Sequence, residues 1–542
     1  MGTLQSKLLE TSDFLYGVEL VSTRGSMSDT TAIATRNYAN ELIACDQLDW
    51  VSITDNAGGN PMLAPVALAK PILYAGKEVV IHLSCKDFNR NGLESEAWFL
   101  ASEGFNNVLV LTGDAPISGN EGVAKPVFDI DSIGLLTLLG KMNEGMAIPL
   151  GRSKRTKRLE RTNFLLGAVT TNFKLHENEV IPQHLKLEKK IEHGAQFIIN
   201  QVGYDSRKIH ELTAYMERKG IGNVPLIGNV FVLNRGVARV FNAMRIPGVV
   251  VSDALLETCE KQARSPDKGK SFFLELAAKQ IAVYRGLGYR GAYLGGVHRF
   301  EDLDRIFAIE RTFGAEDWVT FAREIRFSRP GEFFTFAENP DTGLADPDRL
   351  EPNYEASLKR RQKTRNVTLN YRVSKWAHGA IFESGTFFAK VGGRLCEKSR
   401  DPKNGPKWLR AIEHLSKAAL YQCMDCGDCS LPDVAYLCPE SQCAKNQRNG
   451  PCGGTRDGKC EVHDFECIWA RAYDRMKYEG QDQKLLDHVP VIQDQGLRGT
   501  SGWANNWLGR DHFAPKEPDN APDKELTTKR KIEKKEEKTN GD

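Results

Sequence analysis

Residues 184–201 read HLKLEKKIEHGAQFIINQ. The first eleven show helical periodicity and end in glycine, a helix stop signal. The next seven, AQFIINQ, form a short and nearly continuous apolar run. That is the pattern of a parallel strand covered on both faces. The same unit recurs in both directions along the chain. Strand candidates are FLYGVEL (14–20), DWVSIT (49–54), EVVIHLS (78–84), NVLVLTG (107–113), NFLLGAVT (163–170), AQFIINQ (195–201), VPLIGNV (224–230) and GAYLGG (291–296). Helical segments such as SRKIHELTAYMERKG (206–220) lie between them. Eight such strands over about 300 residues predict an α/β fold of the (β/α)8 TIM-barrel type. An open doubly wound sheet is the runner-up, and it is weakened because no GxGxxG follows the first strand.

A barrel of this kind carries its chemistry at the carboxyl ends of its strands. The polar residues there are Glu19, Thr54, His82, Asp114, Thr171 and Gln201. Periodicity does not choose among them.

The chain has 542 residues, 41% hydrophobic and 27% charged, with a formal net charge of +2. That length leaves room for roughly two to four domains. The balanced charge does not favour nucleic acid or an anionic membrane as the main partner. No apolar run approaches the roughly 18 residues of a membrane span. The amino terminus, MGTLQSKLLETSDFLYGVEL, lacks a basic segment followed by a long apolar one, so a cytoplasmic, reducing location is expected. MGTLQS faintly resembles a myristoylation signal, but LYGVEL soon afterwards reads as a core strand.

The boundaries expected are a barrel over 1–315, a connector over 316–353, a mainly helical cysteine-rich domain over 354–508 and a tail over 509–542. The connector contains GEFFTFAENPDTGLADPDRLEPN, rich in Pro, Gly and Asp, and reads as a loop. The tail is charged with almost no large apolar residue after Phe513, so disorder is expected there.

Eight of the twelve cysteines, Cys423, Cys426, Cys429, Cys438, Cys443, Cys452, Cys460 and Cys467, fall within about 45 residues. In a reducing compartment such clustering points to metal ligands before disulfides. The spacing C-x2-C-x2-C over Cys423, Cys426 and Cys429 suits the corner irons of a cubane cluster. A zinc knuckle usually takes two ligands from one turn. Cys438 precedes Pro439, as ferredoxin cysteines often do, but lies nine residues beyond Cys429. Eight thiolates could hold two [4Fe–4S] clusters, or one cluster and one zinc. The alternative is a structural module that holds zinc only. Cys45, Cys85, Cys259 and Cys396 are isolated and read mostly as small core residues.

GVEL, WVSITDNAGGN, IHLSCKD, NVLVLTGDAP and GAQFIINQ resemble the methylenetetrahydrofolate reductase barrel, in order and spacing, over roughly 300 residues. CMDCGDC, AYLCPESQCAKNQRNGPCGG and CEVHDFECIWARAYDRMK are similar to the small cysteine-rich protein that accompanies this reductase in acetyl-CoA-pathway bacteria. The resemblance implies a flavin enzyme that interconverts 5,10-methylenetetrahydrofolate and 5-methyltetrahydrofolate. It implies Glu19 as the general acid that helps open the imidazolidine ring. It implies Asp114 near the flavin pyrimidine and the pterin, Gln201 gripping the pterin, and Phe241 packing on folate or nicotinamide. Thr54, His82, Thr171 and Lys190 fall at flavin-contacting positions of the family. Read without the family, Glu19 would be a barrel ion-pair partner, Asp114 a turn or cap, Gln201 a satisfied polar group, Lys190 a surface lysine and Phe241 core.

Two departures bear on the cofactor. Thr112 stands where FAD-binding relatives commonly have arginine, and Thr171 where they have a tyrosine. FAD and FMN therefore both stay open, and direct use of NADH is put in doubt. Joining a flavin barrel to a cysteine cluster suggests electrons moving through iron–sulfur clusters to or from an outside ferredoxin, flavoprotein or NADH-oxidising subunit. The alternative is an NAD(P)H-dependent reductase with a structural zinc module. A folate-binding barrel without catalysis and a methyltransferase barrel are further alternatives, each lacking a flavin. A homo-oligomer is expected.

Overall fold

The computed structural model describes residues 2–150, 156–243, 248–361, 363–383 and 385–514. Eight strands form a closed parallel barrel: β1 (Leu15–Leu20), β2 (Trp50–Ile53), β3 (Glu78–Ser84), β4 (Asn107–Leu111), β5 (Leu165–Thr170), β6 (Phe197–Asn200), β7 (Leu226–Phe231) and β8 (Gly291–Gly295). Each strand pairs with its sequence neighbours, and β8 closes on β1. All eight expected strands are present. Most of their residues are buried, because one face fills the barrel and the other meets the surrounding helices.

The barrel interior is filled by aromatic and branched side chains, among them Trp50, Leu109, Phe197, Ile199 and Tyr293. Trp50 has room only because Gly17 stands opposite: a Cβ at Gly17 would lie 2.0 Å from the indole ring. The amino-terminal helix Leu4–Glu10 buries Leu4 and Leu8 in the same cluster as Leu15 and Trp50, and so plugs the amino-terminal end of the barrel. The opposite end, where the strands finish, is left for chemistry.

The stretch read as a loop connector is partly regular. It contains the helix Asp317–Glu324 and an antiparallel pair of strands, Phe336–Glu338 and Ala345–Leu350. Asp346, Pro347 and Asp348 lie within the second strand, while Pro340, Asp341 and Gly343 form the turn between the strands. There the Asn339 side chain accepts hydrogen bonds from the Asp341 and Thr342 N–H groups. Phe336 and Ala345 are buried against Ala214 and Tyr215 of the barrel helix Ser206–Arg218. Arg207 donates to the Phe336 carbonyl at 2.6 Å, and Glu211 accepts from the Phe336 N–H at 2.9 Å. Tertiary burial outweighs the local loop signal.

The cysteine-rich region is mainly helical, with helices Leu369–Ile381, Phe387–Glu397, Lys407–Tyr421, Ile468–Tyr478 and Gly502–Trp507. It is seated on the barrel. Ile181 and Leu185, on the barrel helix Glu177–Glu192, share one apolar core with Trp469 and Tyr473. Packing continues past Leu508: His512 is buried between Asp428 and Asp433. The rest of the expected tail, from residue 515, lies outside the described residues. Among the described residues no helix is long and apolar enough to cross a membrane.

Candidate active site and cysteine centres

The carboxyl ends of the strands bring Glu19, Thr54, His82, Asp114, Thr171 and Gln201 to one end of the barrel. Glu19, on β1, is half-buried and accepts a hydrogen bond from the Tyr293 hydroxyl of β8 at 3.0 Å. Burial pushes the Glu19 carboxyl up, and the Tyr293 hydrogen bond opposes that only in part. The same hydroxyl lies 3.5 Å from His82 Nε2 on β3. Burial pulls His82 down to about 4, so its ring is neutral at pH 7. Tyr293 thus joins the acid to the imidazole. The sequence reading missed it, because within GAYLGG it reads as strand core.

Asp114 follows β4. Burial pushes its carboxyl up, while Lys445 pulls it down. Lys445 comes from the cysteine-rich domain, donates to the Gly113 carbonyl at 2.8 Å and pairs with Glu461. The hydroxyls of Thr54 and Thr171 are buried and without a hydrogen-bond partner. Such groups cost free energy unless a ligand satisfies them. Gln201 accepts from the Val202 N–H at 2.9 Å through its own side-chain oxygen. Phe241, on helix Arg235–Asn242, is buried in an apolar cluster and meets Phe231 edge-on at 5.1 Å. Its packing is that of a core residue lying against the end of β7.

Lys190 is buried, and its Nζ donates to the Val169 carbonyl of β5. Burial pulls it down to about 7. Lys174 and Lys186 are further buried lysines here, which the sequence reading did not single out. Lys186 donates to the carbonyls of Gly450 at 3.1 Å and Pro451 at 2.9 Å, and to Gln447 Oε1 at 3.3 Å. Lys174 donates to the carbonyls of Gly453 at 2.5 Å and Thr455 at 2.6 Å. Asp131 accepts from the Asn449 backbone N–H at 2.9 Å and from its side-chain amide at 3.1 Å. The segment NQRNGPCGGT (446–455) is therefore clamped onto the end of the barrel where the strands finish. Gly453 faces Thr171, since a Cβ there would lie 3.7 Å from the Thr171 methyl.

The eight clustered cysteines separate into two sets of four. Cys423, Cys426, Cys429 and Cys438 line a small cavity together with Lys417 and Arg448. Cys443, Cys452, Cys460 and Cys467 line a second small cavity with Lys445, Glu461 and Trp469. The second set includes Cys452, on the clamped segment. Backbone N–H groups point at sulfur: Asp425 at Cys423 (3.4 Å), Gln447 at Cys443 (3.5 Å) and Gly454 at Cys452 (3.5 Å). Among the described residues, no three His, Cys, Asp or Glu side chains converge closely enough for a single metal ion. Cys45, Cys85, Cys259 and Cys396 are buried and apart from both sets.

A closed parallel barrel with ionisable side chains gathered at the carboxyl ends of its strands defines a (β/α)8-barrel enzyme. Residues 6–290 match the methylenetetrahydrofolate reductase family. Residues 406–495 match the family described as methylene-tetrahydrofolate reductase C terminal. The chain belongs to the methylenetetrahydrofolate reductase family, with both parts in one polypeptide, and its enzymatic class is that reductase. Two solved structures are similar to part of the chain. One is described as an uncharacterized protein from Clostridium thermocellum that binds two copies of 5-methyl-5,6,7,8-tetrahydrofolic acid. It has 12% identity and a TM-score of 0.41, over 57% of this chain and 98% of that one. The other is the Yersinia pestis DHPS with a pterine-sulfa conjugate, at 9% identity and a TM-score of 0.31, over 56% of this chain and 94% of that one.

Proposed function

We propose that this reductase interconverts 5,10-methylenetetrahydrofolate and 5-methyltetrahydrofolate with a flavin in the barrel mouth, and exchanges electrons with a partner through two iron–sulfur clusters. The observation that carries the electron route is the pair of four-cysteine cavities, one of which includes a segment clamped over the barrel mouth.

The mouth fits a flavin. Thr54 and Thr171 offer buried hydroxyls that lack partners, His82 offers a neutral imidazole, and Lys190 a buried amine. A bound flavin, FAD or FMN, supplies a ring that takes up either a hydride or single electrons. The protein's own work is proton placement and orientation. Reduction requires the C–N10 bond of the substrate's five-membered ring to break with its electron pair going to N10. A proton must reach that nitrogen. Glu19, whose carboxyl pKa burial raises, delivers it. The Tyr293 hydroxyl fixes the carboxyl, and the neutral His82 beyond it adds no charge to compete for the proton. Asp114 and the side-chain amide of Gln201 offer the acceptors and donors that a pterin edge requires.

The cysteine cavities favour clusters over lone zinc ions. A tetrahedral site with 2.3 Å Zn–S bonds brings its sulfurs to about 3.8 Å from one another. The C-x2-C-x2-C spacing of Cys423, Cys426 and Cys429, and the gathering of four cysteines around each cavity, suit a cubane. The N–H groups aimed at Cys423, Cys443 and Cys452 would stabilise sulfur charge and raise a cluster's potential.

Anaerobic purification, followed by absorption spectroscopy and metal analysis of one sample, tests the reading. Flavin bands, a broad shoulder near 400 nm and about eight irons per chain are expected. One or two zinc ions without iron would overturn the cluster route and make direct NADH reduction the next reaction to assay. Acid extraction of the same sample distinguishes FAD from FMN.

A further inference from the structure

Three helices of the cysteine-rich domain carry large apolar side chains in solvent. Leu369, Val373 and Trp376 repeat at spacings of four and three on helix Leu369–Ile381, with Leu369 78% and Trp376 72% exposed. Trp408, Ile412 and Leu415 repeat in the same way on helix Lys407–Tyr421. Phe387, Phe388 and Leu395 are exposed on helix Phe387–Glu397. Each of these helices already buries a different stripe. Tyr371, Cys396, Leu409 and Tyr421 face inward, and Tyr421 hydrogen-bonds Ser374 of the neighbouring helix. A second apolar stripe facing water is more than a stable fold requires, and exposed patches of this kind mark interaction sites.

The charge around the stripes is one-sided. Between residues 359 and 410 the sequence has fourteen Lys and Arg against three acidic residues, although the whole chain carries only +2. Arg372, Lys390 and Arg394 are exposed among the apolar side chains. One of these helices leads into the first cysteine set. Helix Lys407–Tyr421 runs into Cys423, and Met424, between Cys423 and Cys426, is 58% exposed. Lys417, on the buried side of that helix, lines the cavity of the set.

We infer that this basic, apolar face docks an acidic electron-transfer protein. The first cysteine set is then the entry point for electrons, and the second set, against the barrel mouth, the exit. The inference rests on the cluster reading above and adds to it the surface, the partner's charge and the order of the two sets. Apolar stripes fit the dry centre of an interface and the Lys and Arg side chains fit an acidic rim. Each reduction of a methylene to a methyl group takes two electrons and two protons. Two one-electron carriers, each oxidised by one electron, supply the electrons at Met424, and the protons come from solvent by way of the barrel.

The test uses the anaerobically purified full chain and a small acidic [4Fe–4S] ferredoxin as probe. Binding is measured by calorimetry at several salt concentrations. Turnover is measured with the reduced ferredoxin and, separately, with reduced methyl viologen, which requires no docking. Two variants are compared with the parent: Arg372→Glu/Lys390→Glu/Arg394→Glu and Trp376→Gln/Trp408→Gln. The expected result is salt-sensitive binding that weakens roughly tenfold or more in each variant, with viologen-driven turnover unchanged. No binding to the parent overturns the inference, as does equal binding to all three proteins. So does a parent dimer that the tryptophan variant converts to monomer, or variant-sensitive binding to vesicles containing phosphatidylserine. Binding is read without electron transfer. A preparation without iron would therefore sink the cluster reading while still testing the surface.

Discussion

The Tyr293 hydroxyl and the Glu19 carboxyl meet at 3.0 Å across the seam where β8 closes on β1. The acid of the barrel is thus held by a residue from the opposite end of the barrel sequence. Replacing Glu19 by glutamine keeps the size and a hydrogen-bonding oxygen but removes the transferable proton. We expect Glu19→Gln to slow oxidation of the bound flavin by methylenetetrahydrofolate by about 10²- to 10⁴-fold. The flavin absorption bands should stay unchanged. Stopped-flow absorbance under anaerobic conditions reads both. A variant as fast as the parent would remove Glu19 from the chemistry.

Tyr293→Phe should move the pH profile, and the direction follows from the hydrogen bond. The hydroxyl donates to the carboxylate and so lowers the Glu19 pKa against the upward push of burial. Without it, Glu19 keeps its proton to higher pH. The limb of the methylene-reduction profile that falls as Glu19 deprotonates should therefore shift to higher pH. A shift to lower pH in the same stopped-flow experiment would contradict the assignment.

Lys186→Met tests the clamp. Lys186 reaches the carbonyls of Gly450 and Pro451 from a buried position, and burial pulls its pKa down. Removing the amine relieves that burial penalty but leaves the carbonyls without a donor, at about 1–3 kcal/mol for each buried group. The second effect involves more groups and should win. Hydrogen exchange measured by mass spectrometry should show faster exchange across residues 446–455, with the barrel strands protected as before. Uniform protection would mean that the segment is held by other contacts.

These residues also show what the sequence makes legible. The eight strands stand out because both faces of each are covered, so each reads as a short apolar run whatever surrounds it. The lysines on helix Glu177–Glu192 do not stand out. Lys186, Lys189 and Lys190 look like a solvated face, and the partners that bury the first two arrive 264 and 297 residues later in the chain. Lys190 was singled out only through family resemblance. The turn-rich stretch 331–353 conceals two strands for a related reason: their partner is the barrel helix Ser206–Arg218, which no local pattern reveals. The division of the eight cysteines into two sets was equally hidden, because Cys438 and Cys443 are five residues apart yet line different cavities.

Cys426→Ala should separate the two sets. Cys426 lines only the cavity shared with Cys423, Cys429 and Cys438. The variant is expected to lose about four irons of about eight and to keep its flavin. Reduction of the flavin by methyltetrahydrofolate should be nearly unaffected, while turnover with a one-electron protein donor should fall at least tenfold. Metal analysis alongside both assays checks this. Unchanged iron content would show that Cys426 is not a ligand.

His512 is the last prediction and concerns stability. Its Nδ1 faces Asp428 at 2.5 Å and its Nε2 faces Asp433 at 3.0 Å, all three side chains being buried. Only an imidazolium can donate from both nitrogens, and the two carboxylates raise His512 to about 9. A histidine whose folded pKa is raised contributes stability that is fully present below its unfolded pKa, about 6.5, and lost as pH rises through the folded value. The wild-type protein should therefore lose thermal stability between about pH 6.5 and about 9. His512→Ala leaves Asp428 and Asp433 buried beside each other without a counter-charge, and breaking such a pairing costs about 3–5 kcal/mol. Calorimetry of the variant should show a lower melting temperature at pH 6.5 and a flatter dependence across that window. A variant as stable as the parent at pH 6.5 would mean that the carboxylates do not rely on His512.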